Sequence, residues 1–420
     1  MTPEIQKRIK AVRAGKVPTG YKRTAVGVSP QEWNEAYIGD IFDEVSEKNH
    51  PDAPILTIAQ GTGTVLRAES GRSIIYDENA LPGYKFVRKG DFIIHLRSFE
   101  GGLEVANQDG IVSPAYIILR PKMKVCTSYL YALFHTNRFI NQVMAPAVEG
   151  ARDGRSVKYD ALQRQKILLP PVSGQMAVAD VLSTQDKVIE LKERLIAEKE
   201  NQKKHLMRVL FANEAGRAFK VGGVTVDKKK WERKKLGDIC DTFSGGTPNR
   251  SHPEYFDGDI PWIKSGELNK ESIYETEEFL TKDGMENSSA KMVRKGTLLI
   301  AMYGATAGVL AVSHIDAAIN QAILALVPKI SIDPVYLKNA IANEINVAVH
   351  RLVQGGQPNF NASIVCSFEL NLPSLPEQKA IAEVLSTADE EIALLQRELE
   401  QEKLKKKALM QLLLSGLVRV

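Results

Sequence analysis

Two distant stretches of the sequence are nearly the same, and they decide the fold. Residues 169–184 read Leu-Pro-Pro-Val-Ser-Gly-Gln-Met-Ala-Val-Ala-Asp-Val-Leu-Ser-Thr, and residues 372–387 read Leu-Pro-Ser-Leu-Pro-Glu-Gln-Lys-Ala-Ile-Ala-Glu-Val-Leu-Ser-Thr. Each stretch continues into a long charged segment, which ends in Leu206-Met207 or, at the same offset, in Leu409-Met410. A repeat period of almost half the chain indicates a duplicated domain and not a solenoid.

The repeat extends through the sequence that precedes each stretch. The matching pairs are Trp33 with Trp231, 38–41 (Ile-Gly-Asp-Ile) with 236–239 (Leu-Gly-Asp-Ile), 87–90 with 293–296 (Val-Arg-Lys-Gly in both), and 109–119 with 316–326. Between these matches, short β-rich runs alternate with turns marked by glycine and proline, and helical patterns cover 128–144 and 334–352. The sequence therefore predicts an α+β fold in which two mixed α/β segments in tandem are separated and followed by long helices.

The ends of the long helices carry recognisable signals. Ser374-Leu375-Pro376-Glu377 fits a capping box at the start of the second helix. Asn213 and Gly416 fall at equivalent positions near the far ends, and both residue types accept the left-handed conformation that stops a helix. Each helix is therefore expected to have about 40 residues and a length of ~60 Å.

Heptad spacing predicts that the two helices pair as a coiled coil. The apolar columns, each interrupted by one lysine, are Leu182, Ile189, Ile196, Lys203 and Leu210, and Leu385, Ile392, Leu399, Lys406 and Leu413. Each lysine is either a solvated side chain or a polar device that fixes register. An antiparallel pair is preferred because it gives the internal repeat a pseudo-two-fold axis.

Composition excludes several classes of protein. The 420 residues are 44% hydrophobic and 25% charged, which is typical of globular domains. A chain of this length is too long for a single core. No apolar run is long enough to span a membrane, and Cys126, Cys240 and Cys366 form neither a disulfide framework nor a zinc motif. We expect a cytoplasmic protein with no membrane partner, whose net charge of +4 permits nucleic acid as a partner.

A search for catalytic motifs finds none. The sequence has no phosphate-binding GxxxxGK[ST], no HExxH, no GxSxG and no Asp/Asn/Ser-Pro-Pro-aromatic signature of amino-methyltransferases, and its seven histidines have no ligand spacing. The glycine-rich runs at 61–64 and 304–308 are interpreted as tight turns.

Polar loops supply the candidates for DNA contact. Arginine pairs with guanine, and asparagine or glutamine pairs with adenine, so these loops are suited to contact bases. The alternative interpretation is that the Gly/Asn/Pro clusters are simply turns. The candidates are Arg97, Arg152, Arg155 and Lys158 in the first segment, and Lys264, Tyr303, Thr306, Asn320, Gln321, Gln357 and Asn359 in the second.

Taken together, these motifs resemble the specificity subunits of type I restriction-modification systems. The resemblance rests on the start of both long helices, Pro170 through Ser183 and Pro373 through Ser386, which share P-x-x-x-x-Q-x-x-[IV]-A-x-x-L-S. It rests also on the Trp-x₄-[Leu/Ile]-Gly-Asp opening of both segments. It also rests on Gly246-Thr247-Pro248 with Ile260-Pro261-Trp262, on Ser113-Pro114-Ala115-Tyr116, and on the Gly-Gln-Pro-Asn run at 356–359. It covers the chain except its first ~25 residues. The first copy departs from the pattern with Ser173-Gly174-Gln175 where the family has Glu-Gln.

The resemblance implies a non-catalytic subunit that reads a bipartite, asymmetric site in double-stranded DNA. The implied parts are an N-terminal helical extension (1–30), target-recognition domain 1 (31–169), a central helix (170–214), target-recognition domain 2 (215–372) and a C-terminal helix (373–420). The helices would dock two modification subunits, which carry S-adenosylmethionine and methylate adenine N6. Two restriction subunits, which use ATP and Mg, could join them. The chain itself would hold no cofactor and no metal.

Two other classes of protein remain open at this point. A stand-alone methyltransferase or nuclease fused to its reader would need a cofactor motif. A coiled-coil adaptor without DNA contact would predict that the purified complex retains no DNA.

Overall fold

The computed structural model describes residues 2–71, 78–150, 155–211, 218–352 and 360–420. The chain forms two compact units, the first from Met1–Glu193 with Arg397–Val420 and the second from Arg194–Gln396. Each unit thus contains one globular segment and one part of each long helix. Mixed helix and sheet content in both globular segments confirms the predicted fold class.

The first unit is built on a small antiparallel sheet. Its helices are α1 (Pro3–Arg13), α2 (Ile38–Ile41), α3 (Ser98–Gly101), α4 (Thr127–Phe134), α5 (Tyr159–Leu162) and the start of α6 (Val172–Phe211). Its strands are β1 (Tyr21–Thr24), β2 (Gly27–Pro30), β3 (Asn34–Tyr37), β4 (Phe42–Val45), β5 (Leu56–Ala59), β6 (Gly63–Leu66), β7 (Lys85–Val87), β8 (Phe92–Ile94), β9 (Glu104–Val105), β10 (Gly110–Val112), β11 (Ile117–Pro121), β12 (Val148–Glu149), β13 (Ser156–Val157) and β14 (Lys166–Leu169). The main sheet has the order β4-β11-β8-β9, and β3 pairs with β14.

The second unit has larger sheets in the corresponding place. Its strands are β15 (Phe219–Val221), β16 (Val224–Val226), β17 (Glu232–Lys235), β18 (Cys240–Ser244), β19 (Phe256–Ile263), β20 (Ser272–Ile273), β21 (Glu278–Leu280), β22 (Lys291–Val293), β23 (Leu298–Ala301), β24 (Leu310–Ser313), β25 (Ala317–Ile319), β26 (Ile323–Pro328) and β27 (Glu369–Leu372). Its helices are α7 (Leu236–Ile239), α8 (Lys282–Glu286), α9 (Pro334–Leu352), α10 (Ala362–Cys366) and most of α11 (Leu375–Leu413). The sheets have the orders β18-β26-β23-β24-β20 and β21-β19-β25-β22, and β17 pairs with β27.

Equivalent hydrogen bonds confirm the internal repeat at the level of single atoms. Asp109 accepts from the Lys89 amide at 2.7 Å in the first unit, and Asp316 accepts from the Lys295 amide at 2.7 Å in the second. The strands that begin and end each globular segment also pair in the same way, β3 with β14 and β17 with β27.

The two long helices pack against each other, as the heptad columns predict, and the pair is antiparallel, the orientation preferred for its pseudo-two-fold axis. In the first unit Asp186 pairs with Lys406 and Lys192 with Glu398, so the partner number falls as the α6 number rises. The lysines inside the columns are not merely solvated. Lys406 contacts Asp186 in the first unit, and the equivalent Lys203 contacts Asp389 in the second. Asp186 and Asp389 are themselves equivalent, which favours the register-fixing interpretation.

Two helix boundaries differ from the sequence expectation. The helical pattern over 128–144 breaks after Phe134 and resumes as a π-helical turn, Phe139–Met144. The Thr136 hydroxyl donates to the Leu133 carbonyl at 2.7 Å and accepts from the Phe139 amide at 3.1 Å, so a side chain replaces backbone hydrogen bonds there. Helix α11 ends at Leu413, before the left-handed Gly416 (φ 71°), and Asn213 lies outside the described residues.

The first copy lacks the capping glutamate of the second copy, and a cavity lies at that position. In the second copy Glu377 accepts from the Ser374 amide at 2.9 Å and from the Trp231 indole at 3.3 Å. Gly174 stands at the corresponding position of the first copy. A cavity of about 400 Å³ opens there, lined in part by Trp33 and Gly174.

A buried glutamine fastens each long helix to its globular segment. The Gln175 side chain accepts from the Cys126 amide at 2.9 Å and donates to the Pro170 carbonyl at 3.0 Å. Gln378 makes the same two bonds, to the Asp333 amide and the Pro373 carbonyl, both at 2.9 Å. Both glutamines are almost fully buried. They are the glutamine of the repeated P-x-x-x-x-Q motif.

Replacing this glutamine with an apolar side chain of similar size should destabilise its unit. In Gln378→Met the Asp333 N–H and the Pro373 carbonyl lose their partner, at a cost of about 2–5 kcal/mol for two buried groups. Urea unfolding of the full chain measures this cost. Gln401→Met, an exposed position on the same helix, is the matched control and should unfold as the wild type does. Equal unfolding midpoints for both variants would contradict the anchoring role.

Candidate nucleic-acid interface

In the first unit the structure brings two of the predicted cations together around helix α3. Arg97, which immediately precedes this helix, is 70% exposed and lies 3.4 Å from Glu100. The guanidinium of Arg155 stacks over the ring of Phe99 at 4.5 Å. Lys158 is exposed further along the chain, just before α5. Arg152 lies outside the described residues.

In the second unit the predicted cation Lys264 is already paired. Its ammonium group lies 2.8 Å from Glu278 and 3.3 Å from Glu277, and the hydrogen bond to Glu278 raises its pKa. A DNA phosphate would therefore have to compete with two carboxylates for Lys264. The sequence alone indicates only the lysine, because its acidic partners lie on a different strand.

Arg250 belongs to the same cluster and was not among the sequence candidates. Its guanidinium stacks over Phe256 at 4.6 Å and over Trp262 at 5.4 Å, and it contacts Glu278 at 2.8 Å. The Trp262 indole donates to the Gly246 carbonyl at 3.3 Å and holds the preceding loop. The signal that could have found Arg250 is the run Gly-Thr-Pro-Asn-Arg followed by Ile-Pro-Trp.

The remaining candidates of the second unit differ in accessibility. Gln321 is exposed and accepts a hydrogen bond from the Thr247 hydroxyl, so this pair joins two loops. Asn320 accepts from the Ala322 amide at 3.1 Å, which commits its carbonyl to the turn. Tyr303 is 39% exposed, whereas Thr306 is only 8% exposed and offers little surface to a ligand. Gln357 and Asn359 lie outside the described residues.

A buried carboxylate organises the glycine-rich turn of the first unit. Glu104 accepts from the Gly61 amide at 2.6 Å and from the Gly63 amide at 2.9 Å. Gly61 and Thr62 form the predicted tight turn between β5 and β6, whereas Gly63 and Thr64 already belong to β6. Tyr131 donates to the same carboxylate at 3.1 Å, and His135 contacts it at 3.2 Å. Sequence analysis missed Glu104, for which the only local signal is a charge inside an apolar strand.

The charges of this cluster follow from its hydrogen bonds. Burial alone would raise the pKa of Glu104, but the hydrogen bonds from His135 and from the Gly61 amide lower it below its ordinary value. Burial alone would lower the pKa of His135, but hydrogen bonds to Glu104 and to the Tyr131 carbonyl raise it. Both partners of the imidazole are acceptors, so both ring nitrogens carry a proton. The nearby His95 is neutral at pH 7 because burial lowers its pKa.

These pKa shifts predict how the stability of the first unit depends on pH. The His135 contribution is complete below the unfolded pKa of about 6.5 and is lost as the pH rises through the raised folded value. The Glu104 contribution is complete above about pH 4.5 and is lost as the pH falls through the lowered folded value. His135→Gln should therefore cost about 1–3 kcal/mol at pH 5.5 and less in alkaline solution.

Urea unfolding of the full chain at pH 5.5, 7 and 8.5 measures this dependence. The control is His252→Gln, because His252 is exposed and its contacts, an ion pair with the exposed Glu254 and a ring stack on Tyr255, lie at the surface, so the variant should leave the unfolding curve nearly unchanged. A loss of stability in His135→Gln that grows as the pH rises would show that the imidazolium is not the stabilising form.

Two absences hold for the part of the chain that the structure describes. No group of three or more His, Cys, Asp or Glu residues there could hold a metal ion. None of the helices in these ranges combines the length and the apolar character needed to cross a membrane.

Duplicated α/β units on a shared helical pair, each with cations and amides on its loops, define a two-unit recognition protein. A family model of the type I restriction modification DNA specificity domain matches residues 30–201 and 228–403, most of the chain. The chain therefore belongs to the family of type I restriction-modification DNA specificity proteins.

Relatives and a solved structure agree with this assignment. The chain is 25% identical over 415 residues to the type I restriction enzyme MjaVIII specificity subunit of Methanocaldococcus jannaschii. This alignment covers 93% of this chain and 94% of the relative. It is 24% identical over 236 residues to the EcoR124I/EcoR124II specificity subunit of Escherichia coli, covering 54% of this chain and 56% of the relative. A chain from a structure on "complex assembly and conformational transition of the type I R-M system" shares the fold, with a TM-score of 0.60, 18% identity and coverage of 93% and 99%.

Proposed function

We propose that this chain is the DNA-reading subunit of a type I restriction-modification complex and reads a bipartite, asymmetric site. Residues 31–169 would read one half of the site and residues 215–372 the other. The observation that carries the proposal is the contrast within the repeat. The glutamine anchor, the capped Lys-Gly turn and the pairing of the first and last strands are the same in both units, whereas the sheets and loops between them differ. A constant frame with different loops suits two readers of different sequences.

The chain itself is proposed to be non-catalytic and cytoplasmic. Methylation of adenine would reside in two modification subunits that carry S-adenosylmethionine, and cleavage in restriction subunits that use ATP and Mg. Arg97 and Arg155 around α3, and Arg250 with Gln321 in the second unit, are the strongest candidates for DNA contact. An arginine pairs with guanine in two hydrogen bonds, and a base-reading pair contributes about 1–3 kcal/mol of discrimination.

Exchanging one segment tests whether the halves read independently. Residues 31–169 are replaced by the corresponding segment of a relative, and the variant is expressed with its modification subunit. Methylome sequencing should show one half of the methylated motif changed and the other half intact. A change in both halves would refute independent reading, and the absence of any methylated motif with the unaltered chain would refute the proposed function itself.

Equivalent exposed leucines on the long helices support the docking of two modification subunits. Leu191 on α6 is 63% exposed, and Leu394 on α11, at the same repeat position, is 50% exposed. An arginine follows each of them by one turn, Arg194 and Arg397, and both arginines are exposed. An exposed leucine beside a cation, present twice in the same setting, fits a contact that two copies of one partner make. Burial of a leucine contributes about 1.5–3 kcal/mol.

Replacing these leucines with glutamate should remove one partner copy each. Leu191→Glu and Leu394→Glu should each weaken one docking contact about 10- to 100-fold, and the double variant should weaken both. Native mass spectrometry of the chain with its modification subunit counts the copies bound. The control is Leu404→Glu, a leucine 66% exposed on α11 whose equivalent in the first half is Asn201. A double variant that still binds two copies would exclude these positions as the docking contact.

A further inference from the structure

The positive charge of the chain is concentrated in its first residues. Residues 1–23 carry seven lysines and arginines and one glutamate, a net charge of +6, whereas the whole chain has a net charge of +4. The remaining residues together therefore have a net charge of −2. Double-stranded DNA attracts proteins mainly through its phosphates, and a net negative protein is repelled by them. The first residues are thus a strongly cationic segment, separate from the loops proposed to read bases.

Helix α1 arranges these cations on one face. Ile5, Ile9 and Val12 follow the spacing of a single helix face and are half-buried. Lys7 and Lys10 lie on the opposite face and Arg13 at its edge, one turn after Ile9, and all three cations are exposed. The helix is held on the unit by Arg8, whose guanidinium donates to the Leu417 carbonyl at 2.9 Å. The apolar residues of α1 are thus partly covered, whereas its lysines and Arg13 are exposed to solvent.

The available cations have no carboxylate partners. Within the described ranges, no ion pair is formed by Lys7, Lys10, Arg13 or Lys16. By contrast, the cations of the second unit's loops, Lys264 and Arg250, are paired with Glu278. Unpaired cations are free to bind phosphate without first giving up an acidic partner.

A groove beside α1 is lined in part by further cations. Its volume is about 980 Å³, its lining includes Val12, Arg138 and Lys407, and it has no Asp or Glu among its lining residues. Two other lining lysines, Lys403 and Lys406, are paired with carboxylates of α6. Arg138 donates only to the Val26 carbonyl, so its charge has no acidic partner in the described part of the chain. Burial lowers the pKa of this guanidinium, as expected for an uncompensated charge.

We propose that the exposed face of α1 and the adjoining groove bind the phosphate backbone of DNA, separately from the loops that read bases. The inference rests on the proposed function, because it adds a sequence-independent grip to a sequence reader. DNA is preferred over an anionic membrane because the exposed side chains of α1 are cations, whereas its large apolar side chains, which would have to insert between lipids, are half-buried. The face offers isolated cations, which suit phosphates and not base edges.

Neutralising the exposed face tests the proposal. In the variant Lys7→Gln/Lys10→Gln/Arg13→Gln, the slope of log K against log salt for the full chain on a fluorescent duplex of unrelated sequence should fall by about 2–3, since each phosphate contact contributes about 0.9. The control Lys7→Arg/Lys10→Arg/Arg13→Lys keeps every charge and should keep the slope. Circular dichroism of both variants checks that α1 remains folded.

Three results would overturn the proposal. The neutralised variant could show the wild-type slope, or the wild-type chain could fail to bind the duplex. Vesicles of phosphatidylserine and phosphatidylcholine could also bind the wild type more tightly than the duplex does and lose this binding in the neutralised variant. The proposed function and the backbone contact are tested by different measurements. Methylome sequencing of the half-sites tests the proposed function, and the salt slope on DNA of unrelated sequence tests the backbone contact. A lower slope with unchanged methylated half-sites supports the backbone contact.

Discussion

The apolar contact between α6 and α11 is the constraint on which the rest of the structure depends. Helices in proteins are stabilised mainly by burying one face, and each of these two helices buries its apolar column partly against the other. Leu182 and Leu413 are buried in the first unit, and Leu210 and Leu385 in the second. These side chains belong to the same cores as the strands of their units. Helix pairing and domain folding therefore depend on the same buried residues.

Polar groups decide which of the possible arrangements of this apolar contact is formed. Leucine columns tolerate shifted registers, whereas a lysine opposite a carboxylate tolerates few. The Lys406–Asp186 contact selects the helix register in the first unit, and its equivalent, Lys203–Asp389, selects it in the second. The glutamine anchors act in the same manner at the helix starts, where Gln175 and Gln378 satisfy buried backbone groups that would otherwise be unpaired. Specificity of the fold thus comes from a few polar contacts, of which the two glutamines are buried and the two aspartates are about half exposed.

Features encoded by local spacing could be predicted from the sequence, and features made by distant contacts could not. The repeat, the mixed fold class and the pairing of the long helices follow from residues at fixed intervals, such as the column from Leu182 to Leu210, whereas the antiparallel orientation was preferred only for the symmetry it gives the repeat. Glu104 is different, because its partners Gly61 and His135 come from a preceding turn and a following helix. Lys264 shows the same limit, since its acidic partners are visible only when β19 and β21 are paired. The break at Thr136 was missed because a hydroxyl competed with the backbone inside an otherwise helical pattern.

The pairing of the first and last strands of each segment has a consequence for its length. In the first unit β3 and β14 form four consecutive residue pairs, from Tyr37 with Lys166 to Asn34 with Leu169, and close everything between them into one loop. The entropy of closing a loop grows only with the logarithm of its length, so doubling the segment costs about 0.6 kcal/mol. Insertions and deletions inside the segment therefore change the closing free energy very little, provided that their own residues fold. The strand pair that fixes the ends of each segment leaves its interior free to vary in size, and the different sheets of the two units are what such freedom allows.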